Sequence, residues 1–460
     1  MLADFGDAPA LVSTERTWTY AELDRAVDEF GAGLLVRGVE RGDVVGVHGW
    51  SRPEWLIAFL ACCRIGAIYL GLSPKSTRRE LEYLLADAQP RLVVGIDGVD
   101  PTELRGSGAP RADDPDRPCA IVYTSGSTGA PKGALLSQRS ILRSAQLTAE
   151  HWYDAGPETR TVADMPIDHV GWLVCQCLSV LVAGGTVHFR ERFDPAGMLR
   201  LIEEERLTLW VAFPAMIALA MQTPEFDRSD LSSLRRVGLA STPSLELLTR
   251  LRTRTDAVFT ASYGLTEASG GAVTASAPGA DDTTVAGTIG RVVDGIEYRV
   301  EAATGELLLR DECVFLGYLN RPEATAAAID ADGWLHTGDA VTVEPDGNLR
   351  LVGRLKEMFK SGGYNVYPSE VERELCSHPA VSEVAVVAAP DPVWSEVGVA
   401  FVVPAASLEL EELREHARAR LANYKVPKRL LLVDALPRLP NGKVDKLSLR
   451  ERIRSNAWSS

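Results

Sequence analysis

The run Tyr123-Thr124-Ser125-Gly126-Ser127-Thr128-Gly129-Ala130-Pro131-Lys132-Gly133 constrains this chain more than any other stretch. The residues before it, Cys119-Ala120-Ile121-Val122, are apolar and, with Tyr123, read as the end of a strand. Glycines let a backbone turn its N–H groups toward an anion, and hydroxyls and an ammonium add donors. That is the chemistry of a polyphosphate cradle. It is not the standard P-loop, because Pro131 stands where GxxxxGK[ST] needs glycine beside the lysine. On composition alone a solvated Ser/Gly hairpin or linker is the competing reading.

The surroundings of that run alternate strand and helix. Thr19 and Glu22 have capping-box spacing, and Leu23, Val27, Phe30 and Leu34 then recur on one helical face. A strand at 44–47, a helix at 53–65, a strand at 68–70, a helix at 78–88 and a strand at 91–96 follow, and residues 97–117 read as a loop. Beyond the cradle, Ser137 can cap a helix reaching to about Trp152, and an apolar helix follows Trp172. The alternation continues with a strand at 186–189, a helix near 195–205, strands at 207–213 and 236–239, a helix at 244–254 and a strand at 257–262. This is α/β layering with parallel pairing. Residues 275–350 shift to short β-prone pieces split by Gly, Pro and Asp. After Gly353 a compact α+β unit reads as helix 368–376, strands 381–389 and 397–403, helix 408–422 and strand 429–433.

With 460 residues, 46% of them hydrophobic and 24% charged, the chain has room for more than one domain. A net charge of −15 argues against nonspecific nucleic-acid binding. The seven cysteines form no CxxC pair and mostly sit in apolar surroundings, so they read as buried thiols of a reducing compartment. The start MLADFGDAPA shows no signal-peptide pattern and no apolar run is long enough for a membrane span, so the expectation is a soluble, cytoplasmic protein.

The wording YTSGSTGAPKG resembles the phosphate-binding signature of the adenylate-forming superfamily of acyl-CoA synthetases, carboxylic acid–CoA ligases, luciferases and adenylation domains. The resemblance extends in order over nearly the whole chain and is most like a carboxylic acid–CoA ligase. It implies an α/β fold, with a large N-terminal domain of layered α/β subdomains plus a β-rich subdomain at 1–354. A small mobile α+β C-terminal domain at 355–460 follows, with a hinge near Lys356.

The resemblance also implies the site. Thr124, Ser125, Gly126, Ser127, Thr128, Gly129 and Lys132 would hold phosphates. In Tyr263-Gly264-Leu265-Thr266-Glu267, Tyr263 would lie on the adenine, Thr266 would donate to a phosphate oxygen, and Glu267, a hard oxygen ligand, would carry Mg²⁺. In Thr337-Gly338-Asp339, Asp339 would accept from the ribose hydroxyls, joined by Arg354. Gly362 and Gly363 in Lys360–Pro368 would let a loop approach a pantetheine arm, and Lys443 in Pro440–Lys446 would reach the carboxylate and α-phosphate. The turn Gly238–Pro243 departs from the family's glycine-rich form, so its adenine contacts stay unassigned.

His169 in Pro166-Ile167-Asp168-His169-Val170-Gly171 would gate the acyl and pantetheine pockets. Asp168 replaces the usual aromatic, and an Asp168–His169 acid–base pair is the weaker reading, because neighbouring side chains tend to point apart. Trp172, Phe213, residues 240–242 and 268–272 are the expected acyl lining. Gly270, Gly271 and Ala272 suggest room, and the aromatics suggest an aromatic or medium apolar acid. The expected reaction joins a small carboxylic acid, ATP and coenzyme A through acyl-AMP. A carrier protein's phosphopantetheine arm is the alternative acceptor. A non-catalytic ATP/acyl-binding relative is the reading of another class, against which Lys132, Thr266, Glu267, Asp339, Arg354 and Lys443 stand together.

Overall fold

The computed structural model describes residues 2–96, 98–109, 111–112, 114–124, 131–361, 364–391, 394–439 and 442–454. The chain divides into two units. The first comprises Met1–Arg299, Leu308–Thr337 and Val343–Arg350, and the second Val300–Leu307, Gly338–Thr342 and Leu351–Ser460.

The first helix of the first unit, Tyr20–Val36, starts where its capping box lies. Glu22 N donates to Thr19 Oγ1 at 3.2 Å and Thr19 N donates to Glu22 Oε2 at 3.0 Å. Leu23, Val27, Phe30 and Leu34 form its buried face. Helices Pro53–Ile65 and Arg78–Ala88 carry the chain across a six-stranded sheet. Its order is Gly317–Tyr318, Lys132–Ser137, Pro118–Thr124, Ile68–Leu72, Val44–His48 and Leu92–Gly95. The last four strands are parallel, and Val45, Val47, Leu70, Leu72 and Ile121 are fully buried among them, as covered parallel strands require. Lys132–Ser137 reverses direction against Pro118–Thr124. The sequence pattern had not indicated this strand, because its six residues KGALLS carry too short an alternation.

A second sheet of this unit sets Leu209–Ala212, Arg236–Leu239 and Val258–Tyr263 parallel, then adds the antiparallel pairs Thr274–Ala275 and Arg291–Val292. The carboxyl end of Val258–Tyr263 runs straight into Gly264–Glu267, and such ends are where open α/β sheets bind ligands. A third sheet orders Thr17–Thr19, Pro9–Val12, Thr186–Phe189 and Arg160–Ala163. The helix expected from Ser137 to Trp152 is Gln138–Leu147, capped by Ser137, and then continues in π-helical turns over Thr148–Tyr153.

The β-rich stretch contains the strands Glu297–Val300, Glu306–Arg310, Leu335–Val343 and Leu349–Arg354, and also the helices Asp282–Gly287 and Pro322–Ala328. In the second unit the long hairpin Val381–Asp391 and Ser395–Pro404 is flanked by Phe359–Ser361, paired with Tyr364–Val366, and by the parallel strand Arg429–Leu432. Successive side chains of a strand face opposite ways, so Val386 packs with Val371, Leu375 and Leu413 while Val387 packs with Phe401 and Leu449. The expected helix 408–422 is the shorter Leu410–Arg418. The helices Pro214–Ala220 and Lys446–Arg454 were not among the sequence expectations, although Pro214 at the head of the first is a start signal. The second buries only Leu449, which leaves no periodic apolar face to read.

Cys62, Cys119, Cys175, Cys177 and Cys313 are buried thiols, whereas Cys376 is exposed. Among the described residues no helix is long and apolar enough to cross a membrane.

Candidate active site

Thr124 and Lys132 stand opposite each other across the antiparallel pair, so the glycine-rich run joins two strands of a hairpin. Ser125, Gly126, Ser127, Thr128 and Gly129 lie outside the described residues. Thr124 Oγ1 donates to Lys132 O at 3.5 Å. The base of this hairpin is braced by residues the motif does not contain. Tyr83 donates its hydroxyl to Pro131 O at 2.9 Å, and Tyr123 donates to Asp87 Oδ2 at 2.8 Å. Arg321 holds the other oxygen of Asp87 at 3.3 Å. Burial, and then the Asp87 carboxylate, push the Tyr123 phenol well above its ordinary range.

The edge strand brings in a further residue. Tyr318 pairs with Ala134, which places its ring 5.1 Å from Lys132 Nζ, and its hydroxyl donates to Glu267 Oε1 at 2.6 Å. Burial first and the Glu267 charge second raise the Tyr318 phenol, so it stays a donor. Glu267 lies in one 3₁₀ turn, Thr266–Ala268, just past the strand end, where Phe315 N donates to Glu267 O at 2.9 Å. Tyr263 N donates to Thr274 Oγ1 at 3.2 Å, which fixes the last residue of the strand. Lys132, Tyr318 and Glu267 are thus one connected set: a cation, a phenol and a carboxylate.

Magnesium is commonly held by one or two carboxylates with phosphate and water oxygens completing the shell. Among the described residues no group of three or more His, Cys, Asp or Glu side chains is gathered for a metal. A single oriented carboxylate, Glu267, beside a phosphate-type hairpin fits that mode.

In the second unit Asp339 is buried, 3% exposed, and Arg354 Nε lies 3.2 Å from its Oδ1. The strand position before it favours glycine: within Leu335–Val343, Gly338 has φ +71°, and its N–H donates to Glu306 Oε1 at 2.9 Å. Lys356 is exposed on the 3₁₀ turn Leu355–Glu357. Gly362 and Gly363 lie outside the described residues, and the strands on either side of them pair antiparallel. Lys443 is exposed on a tight turn, where Leu439 N donates to Lys443 O and Gly442 N to Leu439 O, both at 2.8 Å.

On the acyl side His169 is exposed, and its Nδ1 accepts from Gly171 N at 2.9 Å. Asp168 Oδ1 is buried without a hydrogen-bond partner among the described residues, and burial raises this carboxyl. Two expectations about the lining fail. Trp172 is fully buried, donates Nε1 to Ser51 Oγ at 2.9 Å and meets Phe189 edge-on, so it belongs to the core and not to a pocket wall. Gly270 and Gly271 do not leave room. A Cβ at Gly270 would lie 2.2 Å from Val170, and one at Gly271 would lie 2.3 Å from Ser144 Oγ. These glycines let two segments pack closely: Gly271 N donates to Ser144 Oγ at 2.9 Å and Ala272 N to Thr148 Oγ1 at 2.8 Å. Phe213, 38% exposed, stands at the head of helix Pro214–Ala220.

A family model described as AMP-binding enzyme matches residues 2–319, and one described as AMP-binding enzyme C-terminal domain matches residues 370–443. The chain belongs to the AMP-binding enzyme family. Feruloyl-CoA synthase from an Amycolatopsis species is 37% identical, over 95% of this chain and 94% of that protein. Indoleacetate–CoA ligase from Aromatoleum aromaticum is 35% identical over the same shares of 95% and 94%. Among solved structures, ATP-bound MatB from Rhodopseudomonas palustris superposes with a TM-score of 0.89 at 28% identity, covering 99% of this chain and 98% of that one. o-Succinylbenzoate CoA synthetase from Bacillus subtilis, in complex with its acyl-adenylate intermediate, gives 0.86 at 26% identity, covering 98% and 97%. Within the family this chain is an AMP-forming acyl-CoA synthetase, with the mixed α/β fold and the large N-terminal and small C-terminal domains of that class.

Proposed function

We propose that this enzyme activates an aryl-bearing carboxylic acid with ATP and transfers it to coenzyme A. A carboxylate is a poor electrophile because its leaving group would be oxide. Its oxygen attacks the α-phosphorus of ATP, pyrophosphate leaves, and a mixed anhydride, acyl-AMP, remains. The thiolate of coenzyme A then attacks the acyl carbon and AMP departs. No protein nucleophile is needed.

The observation that carries this reading is the connected set Lys132–Tyr318–Glu267 beside the phosphate-type hairpin. Lys132, Thr124 and the run 125–129 would hold the β- and γ-phosphates, with Thr266 donating to a phosphate oxygen and Tyr263 against the adenine. Preorganised donors of this kind stabilise a leaving pyrophosphate without reorganising during the reaction. Magnesium held by Glu267 would neutralise charge on the phosphates. Asp339, oriented by Arg354, would accept from the ribose hydroxyls. Lys443 would offset charge at the carboxylate and the α-phosphate. In this reading residues 1–354 form the adenylating domain and 355–460 turn about Lys356, exchanging Lys443 for the loop at Gly362 and Gly363, while His169 gates the acyl side. With Trp172 in the core, the aryl preference rests on the ferulate and indoleacetate named for the relatives.

Hydroxamate trapping across arylpropenoic, arylacetic, fatty and amino acids tests the first half-reaction. Thioester formation with coenzyme A against a phosphopantetheinyl carrier protein tests the second. Trapping with no acid would overturn the proposal, and transfer to the carrier protein alone would replace coenzyme A as acceptor.

A further inference from the structure

The turn that presents Lys443 leads directly into helix Lys446–Arg454, and the foot of that helix is anchored in an unusual way. Asp445 caps it, its Oδ1 accepting from Leu447 N and Ser448 N, both at 3.1 Å. The first helical residue, Lys446, points inward. Its Nζ lies 2.9 Å from Glu357 Oε2 and 2.9 Å from Glu372 Oε1, and its side chain is 21% exposed. Glu357 ends the 3₁₀ turn that carries Lys356, and Glu372 lies in helix Pro368–Cys376. Glu372 Oε1 also accepts from Val386 N at 2.7 Å, which ties the same cluster to the central hairpin of the unit. Lys446 therefore joins three segments: the turn at 355–357, the helix at 368–376 and the base of the Lys443 turn.

A lysine on a helix face normally sits in solvent with its ammonium hydrated. Here burial works against the ammonium, yet Glu372 and Glu357 together hold its pKa above the ordinary lysine range. Burial would likewise raise the Glu357 carboxyl, and Lys446 beside it holds it down. Removing one partner of a pair this enclosed leaves an uncompensated charge.

We propose that Lys446 is a positioning residue for adenylation: its two-carboxylate clamp fixes the Lys443 turn to the segment bearing Lys356, so that Lys443 is delivered as a rigid part of the C-terminal unit. This rests on the reading of Lys443 as the adenylation lysine. A displacement of ~1 Å at a reacting group costs on the order of a hundredfold in rate. Loosening the foot of an exposed turn is the kind of change that permits such a displacement. Thioester formation does not use Lys443, so it should be spared.

The test is Lys446→Met and Lys446→Arg, each assayed for pyrophosphate exchange and, separately, for thioester formation from supplied acyl-AMP, with melting temperatures alongside. Lys446→Met should lower exchange by about tenfold or more while thioester formation stays within about threefold. Lys446→Arg, which keeps the charge and can bridge both carboxylates, should restore exchange. Glu357→Gln leaves the bond to Glu372, so it keeps the test available if Lys446→Met does not fold, and it should show the same selectivity at smaller amplitude. Parallel loss of both half-reactions tracking a fall in melting temperature, no loss in either, or no rescue by arginine would overturn the proposal. A wild-type enzyme that forms no acyl-AMP would instead remove the reading of Lys443 on which it rests.

Discussion

The Tyr318 hydroxyl donates to Glu267 Oε1 at 2.6 Å while the Tyr318 ring lies 5.1 Å from Lys132 Nζ. One side chain from the edge strand thereby orients the candidate metal ligand and stands beside the candidate phosphate lysine. Hydrogen bonds to charged groups contribute about 1.5–3 kcal/mol, enough to restrict a carboxylate to one rotamer.

Tyr318→Phe removes that donor and keeps the ring. The magnesium concentration for half-maximal turnover should rise by about threefold to tenfold, with the KM for the acid unchanged. Magnesium titration of the purified variant reads this directly, and an unaltered magnesium dependence would count against the orienting role.

Asp339 and Arg354 form one unit, with Nε to Oδ1 at 3.2 Å. Asp339→Asn and Arg354→Met should each raise the KM for ATP by about tenfold. The double variant should lose little more than either single one, because residues in one network are not additive. Additive losses in an ATP titration would show that the two act separately.

Asp164 is buried, and its carboxyl is pushed up to about 6 from 3.8, chiefly by desolvation, while Gln176 Nε2 donates to its Oδ1 at 2.8 Å. A raised folded-state pKa means that the folded protein binds the proton more tightly. Its contribution to stability is therefore fully present below 3.8 and lost as pH rises through about 6. The ionised group at neutral pH weakens the fold by on the order of 2–3 kcal/mol. Asp164→Asn should raise the melting temperature relative to wild type at pH 8 and lose most of that advantage near pH 4. A pH-independent difference in thermal denaturation would contradict this.

Gly271→Ala would set a Cβ 2.3 Å from Ser144 Oγ and 2.4 Å from Thr148 Oγ1. Overpacking of this kind destabilises by about 1–3 kcal/mol. Denaturant unfolding should show the loss, and adding Ser144→Ala should recover part of it. Unchanged stability would mean that the segment has slack and that these glycines do provide volume.

Much of the local structure was legible. Thr19 with Glu22 marked the start of the first helix, Pro53 marked the second, and Ser137 marked the helix that begins at Gln138. Each is a short-range signal, a cap or a φ-fixed first residue acting within one turn. The motifs around Lys132, Glu267 and Asp339 were legible for the same reason, since they are contiguous. The Trp172 and Gly270–Gly271 readings failed because residue type alone does not say which neighbour a side chain meets.

The sequence by itself determined where the capped helices start, which contiguous stretches are the candidates for phosphate and ribose contacts, and the family to which the chain belongs. Only the tertiary structure decided that Tyr318 joins Lys132 to Glu267, that Arg354 holds Asp339, that Lys446 bridges Glu357 and Glu372, and that Gly271 seats Ser144 instead of opening a pocket. Caps and periodicity act within a few residues, whereas these contacts depend on strand register and core packing between segments far apart in the chain, which leave no local pattern to read.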